Sequence, residues 1–284
     1  MRAPRFLYNT KLKLKAIVGI LLAFFILDIG SALVYPNVEK YRRYDPKMSS
    51  MMEYRIRQVR AEGKKIHIIR RWVPFSRISP YIVKAVLIGE DDSFWHNSGF
   101  DINGMEAALE RDIKTHRLKA GGSTITQQLA RNLFLTPSRN PVRKLKEAIL
   151  AWRLNRDLSK RRILELYLNY AEWGHGIFGI GAASLHYFGI PASMLSPEQA
   201  ARLATVLPNP NIYSPTRPDR YVLRRSAIIY RVMVKRGIVM PDYEEAMNPA
   251  KEKTPEGKPA FPGESTTAKA AGHGHPPFLN FTAK

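Results

Sequence analysis

The chain contains no cysteine. That absence excludes disulfides, thiolate nucleophiles and cysteine-ligated zinc together, and it suits an oxidising compartment as well as any other. Acidic side chains are scarce: 24 Asp and Glu stand against 45 Lys and Arg, a net charge of +21 over 284 residues. A chain this basic is expected to meet something anionic, whether nucleic acid, an acidic membrane surface or a phosphorylated substrate, and charge alone does not choose among them. No Walker motif, Ser-His-Asp set or zinc signature occurs, and His67, His96, His116, His175 and His186 have no ligand spacing. Internal repeats are absent too. The apolar fraction of 45% is ordinary for a folded protein, which excludes disorder throughout. The length suits one good-sized domain or two small ones.

One long hydrophobic run stands out. Residues 16–35 read AIVGILLAFFILDIGSALVY, with Asp28 as the single charge. About 20 apolar residues cross a hydrocarbon core. Arg2, Arg5, Lys11, Lys13 and Lys15 precede the run and favour a cytoplasmic N-terminus, although Lys40, Arg42, Arg43 and Lys47 follow it. No small-x-small cleavage site follows the apolar core directly, so an uncleaved anchor is preferred to a signal peptide. Asp28 is costly at mid-bilayer but lies past the middle, nearer water. The sequence divides into a basic segment (residues 1–15), the anchor (16–35), a juxtamembrane stalk or lead-in to the domain (36–74), a folded domain (75–245), and a tail (246–284). The tail is rich in Lys, Pro, Gly, Glu and Ala and is expected to be disordered.

Within the domain helical signals dominate. HIIRRWV at 67–73 has the look of a short strand. Ser79-Pro80 is an N-cap serine with proline at the first helical position, opening a buried helix through Glu90. Residues 105–113 read as a helix. Gly121-Gly122 breaks the chain, and Thr124-x-x-Gln127 is a capping-box pattern. Pro141 begins a long helix to about Leu158, Ser159 begins another to Tyr170, and Ser196-Pro197 opens one reaching Val206. Gly174, Gly176, Gly179 and Gly181 suggest a flexible, turn-rich interval. A mainly α domain follows.

Three stretches could carry chemistry. Gly121 to Asn132 (GGSTITQQLARN) places two glycines before a helix N-terminus, where exposed N–H groups and the helix dipole make a ready anion site. Thr124, Gln127, Gln128 and Arg131 add a polar, cationic stripe. Glu90-Asp91-Asp92 closes an apolar helix at its negative end, where dipole and crowding raise proton affinity as a general acid or base requires. A metal site or a solvated acidic turn fits the same acids. Arg143, Lys144 and Glu147 share one helix face. With Arg139, their charge excess would hold a phosphate as readily as it would pair a lone glutamate.

Together these stretches resemble the peptidoglycan glycosyltransferases, found as monofunctional transglycosylases and as the first catalytic domain of bifunctional penicillin-binding proteins. The family's first motif is similar to Glu90-Asp91-Asp92-Ser93-Phe94 with Gly99. Its second, GGSTITQQ, is matched without change from Gly121 to Gln128, and its third is similar to Arg143-Lys144-Leu145-Lys146-Glu147. The fourth resembles Ile163 to Asn169 with Tyr187-Phe188-Gly189, and the fifth Leu195 to Pro208. The similarity covers roughly residues 75–240. Two departures are evident. Asn97 stands where the family usually has histidine, and Arg131 where it commonly has lysine.

The resemblance implies a lysozyme-like α fold behind a single transmembrane helix, and polymerisation of lipid II into glycan strands at the bacterial inner membrane, with the domain on the periplasmic face. It implies Glu90 as the base that deprotonates the acceptor 4-hydroxyl, with inversion at C1. It implies Glu147, with Lys144 and any bound divalent ion such as magnesium, as the group that assists the departing undecaprenyl pyrophosphate. Asp91, Phe94, Ser123, Thr124, Gln127, Gln128, Arg131, Arg139, Arg143 and Lys144 are then expected at the substrate. Expected partners are lipid II, the growing strand, membrane lipids and other cell-wall synthesis proteins, and no nucleic acid. The stretch after residue 245 is too short for a transpeptidase domain, so the monofunctional type is expected. A lytic, lysozyme-like hydrolase would explain the glutamates but not the cations. A membrane-tethered polyanion binder would use only charge and anchor. Trp152, Trp173, Phe178 and Tyr187 are expected in the core, and Glu165 in a helix ion pair.

Overall fold

The first helix has almost nothing packed on it. In the computed structural model, which describes residues 5–100, 122–138 and 140–239 (side chains from residue 13 onward), α1 runs Arg5–Ser31. Its stretch Lys13–Ser31 is 19 residues long and none of it is buried by the protein. At 1.5 Å per residue that is roughly 28 Å, the thickness of a hydrocarbon core. Ile17, Leu21, Phe24 and Leu27 all point away from the protein. Up to its last turn the helix meets no described part of the domain, and its length and composition are those of a membrane span. The helix starts well before residue 16, because the basic N-terminal residues are themselves good helix formers, and it stops at Ser31 rather than at Tyr35.

The chain then folds onto the domain. A 3₁₀ turn (Glu39–Arg42) and α2 (Ser50–Ala61) contribute Val38, Tyr41, Met52 and Val59 to buried positions. The stretch 36–74 therefore packs on the core, with Met52 inside it. A two-residue strand, β1 (Ile69–Arg70), and a 3₁₀ turn (Phe75–Arg77) lead into α3 (Pro80–Glu90). Ser79 caps α3 by accepting the Tyr81 amide, with Pro80 at the first position.

The remaining helices are α4 (Ile125–Phe134), α5 (Pro141–Asp157), α6 (Lys160–Tyr170), α7 (Ile180–Phe188), α8 (Pro197–Ala204) and α9 (Arg220–Lys235). The capping boxes Thr124/Gln127 and Ser196/Gln199 are both complete. Asn140 and Ser159 cap α5 and α6. In the core α4 packs on α2, α5 and α6, while α3 packs on α8 and α9. The fold is mainly α. The expected helix at 105–113, Gly121, Arg139 and the tail from Met247 lie outside the described residues.

The glycine-rich interval corrects the sequence reading. It is a buried hairpin, not a flexible loop. Strands β2 (Glu172–Gly174) and β3 (Ile177–Phe178) pair antiparallel, and β1 adds in parallel to give the order β1-β3-β2. Trp173 and Phe178 are fully buried. The glycines are there for close approach: a Cβ on Gly174 would lie 2.1 Å from the Tyr187 hydroxyl, and one on Gly179, at φ +83°, 2.8 Å from the Asn169 carbonyl. Trp152 is a second correction, for it lies on the outer face of α5, 44% exposed, with Arg156 over its ring.

Candidate active site

The three acids that close α3 have three different fates. Asp92 points outward to a bidentate pair with Arg236 at 2.6 and 2.7 Å, which holds its carboxyl below the usual range. Asp91 turns inward. Its Oδ2 accepts the Ile125 amide at 2.9 Å, and its Oδ1 accepts from Asn97 at 2.9 Å and from Ser93 at 3.2 Å. Burial pushes its pKa up despite these bonds and the nearby Lys160 charge. The helix N-terminus expected to bind an external anion is thus already occupied by the protein's own carboxylate. Thr124 takes the Gln127 amide in the same turn. Asp91, expected at the substrate, instead ties α3 to α4.

Glu90 faces the other way, partly buried. Gln128 Nε2 donates to its Oε2 at 2.9 Å, and Gln128 Oε1 accepts from the Tyr167 hydroxyl at 2.9 Å. Glu90 Oε1 is buried with no hydrogen-bond partner among the described residues. Burial raises the Glu90 pKa, partly offset by the Gln128 bond and by the charges of Arg225 and Arg131, while Asp91 pushes it up. The direction is the one expected from sequence, but burial is the main cause and acid crowding a minor one. Arg225 also donates to the Gly89 carbonyl at 2.8 Å, closing the end of α3.

The second carboxylate, Glu147, is fully buried on α5. Arg143 Nη1 bonds its Oε2, and Lys144 Nζ its Oε1 at 2.5 Å. Lys144 also donates to Ser123 Oγ at 2.9 Å, which joins α5 to the glycine turn. Both oxygens of Glu147 are therefore engaged by cations. Among the described residues no group of three or more His, Asp or Glu could hold a metal ion.

Beside α2 lies a cavity of about 570 Å³, lined among others by Arg55, Gln128, Arg131, Asn132, Arg143, Tyr167 and Glu172. Three arginines border it, a chemistry suited to phosphate, with Arg55 already paired to Glu172. Of the residues expected at the substrate, Gln128, Arg131 and Arg143 line this cavity, and Ser123 and Lys144 adjoin one another beside Glu147. Thr124 and Gln127 are buried in the capping box. Phe94 is fully buried beneath Lys160, so its surface is not available to a ligand. Arg139 lies outside the described residues. Tyr167 and Arg225 were not singled out from sequence. Tyr167 sits within a recognised motif, but nothing in local spacing brings Arg225 to Gly89.

Comparison with known proteins follows the same lines. Residues 59–234 match the model of the Transglycosylase family. A biosynthetic peptidoglycan transglycosylase of Nitrosospira multiformis is 40% identical over 205 residues, 72% of this chain and 89% of that protein. Its namesake in Aromatoleum aromaticum is 45% identical over 194 residues, 68% and 84% of the two chains. That of Chromobacterium violaceum is 39% identical over 224 residues, 79% and 97%.

Proposed function

Since the chain belongs to the transglycosylase family, we propose a specific division of labour among its residues in the polymerisation of lipid II. The protein is a peptidoglycan glycosyltransferase with the mainly α, lysozyme-like fold of that family. Its substrates are lipid II and the growing glycan strand. Glu90 is the general base. It takes the proton of the acceptor sugar 4-hydroxyl, that oxygen forms a bond to C1 of the donor, and the C1–oxygen bond to pyrophosphate breaks from the opposite face. The configuration at C1 inverts, as in other displacements run between two separated carboxyl groups.

The observation that carries this role is the state of Glu90. One oxygen is fixed by Gln128 and the other is buried without a partner among the described residues. A buried acceptor lacking its hydrogen bond is unstable unless a ligand supplies one, and the sugar hydroxyl is such a donor. Burial also raises its proton affinity toward neutrality, where a base works best. Arg131, Arg143 and Lys144 receive the negative charge that develops on the leaving pyrophosphate. Glu147 holds Arg143 and Lys144 in place, which makes it a positioning residue in this account.

The anchor crosses the bacterial inner membrane with the domain on its outer face, where α1 would keep the active site beside a lipid-borne substrate. The reading is tested with labelled lipid II in detergent. Glu90→Gln should lower turnover by about 10²–10⁴ while the protein still binds lipid II. Glu90→Gln turnover close to wild type would remove Glu90 from the base role.

A further inference from the structure

One charge in the sequence has no part in the chemistry. Asp28 sits in the last turn of α1, three residues before its end at Ser31. A carboxylate there faces the negative end of the helix dipole and lies close to lipid, two reasons for it to be absent. The structure gives it a partner. Lys146 Nζ on α5 donates to Asp28 Oδ1 at 2.6 Å. Two turns along the same face, Arg153 donates from Nη1 to the Ala32 carbonyl at 3.0 Å and from Nη2 to the Val34 carbonyl at 3.2 Å. These carbonyls follow the end of α1, where no further helical turn would take them up. The chain leaving the anchor then returns, and Arg42 Nε donates to the Asp157 carbonyl at the far end of α5 at 2.7 Å. Helix α5 is thus bound to the anchor and its exit segment at three points, Lys146, Arg153 and Asp157. The same helix carries Arg143, Lys144 and Glu147 on another face.

We propose that Asp28, with Lys146 and Arg153, positions the active site against the membrane: the clamp fixes the height and tilt of α5 relative to α1, and so sets where the cations of α5 meet a lipid-linked pyrophosphate. The Asp28–Lys146 pair adds little to folding stability, because the Asp28 side chain is 58% exposed. Its value is directional. Lys146 neighbours Glu147 in sequence, so any rotation of α5 about its axis that breaks the clamp also turns Arg143 and Lys144 away from the substrate. Asp28 lies outside the family-matched residues 59–234. The inference rests on the proposed function for its consequence, but not for its geometry.

The test uses the full chain in liposomes of phosphatidylethanolamine and phosphatidylglycerol that also contain lipid II. Asp28→Lys and Lys146→Glu should each lower kcat several-fold, and the double exchange should restore it to within about twofold of wild type, the usual mark of a direct coupling. In detergent, where no bilayer plane exists to be aligned with, the single variants should match wild type. A defect of equal size in detergent, or a double variant no better than the singles, overturns the proposal. A second readout needs no turnover. The chain lacks cysteine, so spin labels at Leu27→Cys and Leu145→Cys report the anchor–α5 distance alone. One narrow distribution is expected, broadened by Asp28→Lys and narrowed again by the double exchange. Unchanged breadth overturns the clamp. A wild type that is silent toward lipid II yet shows the narrow distribution would instead count against the glycosyltransferase reading.

Discussion

The Tyr167 hydroxyl donates to Gln128 Oε1, and the nitrogen of the same amide donates to Glu90. An amide can present oxygen or nitrogen in either direction, and only the nitrogen can donate to a carboxylate. The ionised Glu90 therefore takes the nitrogen, and the oxygen is left to accept from Tyr167, which is fully buried on α6. A tyrosine 39 residues away in sequence thus holds in place the amide that donates to the base.

Tyr167→Phe should leave the fold intact and lower kcat about tenfold, the equivalent of one net hydrogen bond. The effect should fall on kcat more than on KM, because the change reaches the base and not the cations. Steady-state kinetics with lipid II would check this, and a pure KM effect would contradict it.

The pH profile carries the signature of Glu90. A base must be ionised, so activity should fall as pH drops through its folded pKa, which burial places above the ordinary glutamate value. Gln128→Ala removes the bond that favours the charged form, and should move the acid limb to still higher pH.

Stability should show the opposite side of the same linkage. Glu90 binds its proton more tightly folded than unfolded, so the fold loses stability as pH rises from the unfolded pKa to the folded one. Glu90→Gln should therefore melt higher than wild type at neutral pH, with the gain vanishing below the ordinary glutamate range. A gain that persists at low pH would assign it to another cause.

Arg55 and Glu172 form a bidentate pair at 3.0 and 2.7 Å that joins α2 to β2 beside the cavity, and both side chains are largely buried. Arg55→Met should cost about 3–5 kcal/mol, because it strands a buried carboxylate. Adding Glu172→Gln, which keeps an acceptor for the Gly176 amide, should recover part of the loss. Urea melts of wild type, the single variant and the double variant would measure this.

Asn97, in the place where the resembled family carries histidine, is a structural tie. It donates to Asp91, and its Oδ1 accepts from Lys160 at 3.0 Å and from the Gly99 amide at 3.1 Å. Asn97→Ala should destabilise the protein by about 1–3 kcal/mol, the cost of orphaned buried polar groups. Turnover should fall with it, since Asp91 anchors the start of α4.

Much of this was legible in the sequence wherever a rule acts over a few residues. The Ser79-Pro80 start, the Thr124/Gln127 box and the shared face of Arg143, Lys144 and Glu147 all follow from spacing along one helix. Contacts between distant elements were not legible. Arg225 reaches Gly89 across 136 residues. The strands at 172–178 are too short to display an alternating pattern, so their glycines read as a loop. The glycine turn before α4 read as an empty anion site because nothing local reveals that Asp91 fills it.

The most direct test follows the products of wild-type protein given lipid II labelled in both sugar and lipid. The expected products are long glycan with β-linked sugars and one undecaprenyl pyrophosphate released for each linkage formed, with finished glycan left uncut. Cleavage of finished glycan with lipid II untouched would contradict it.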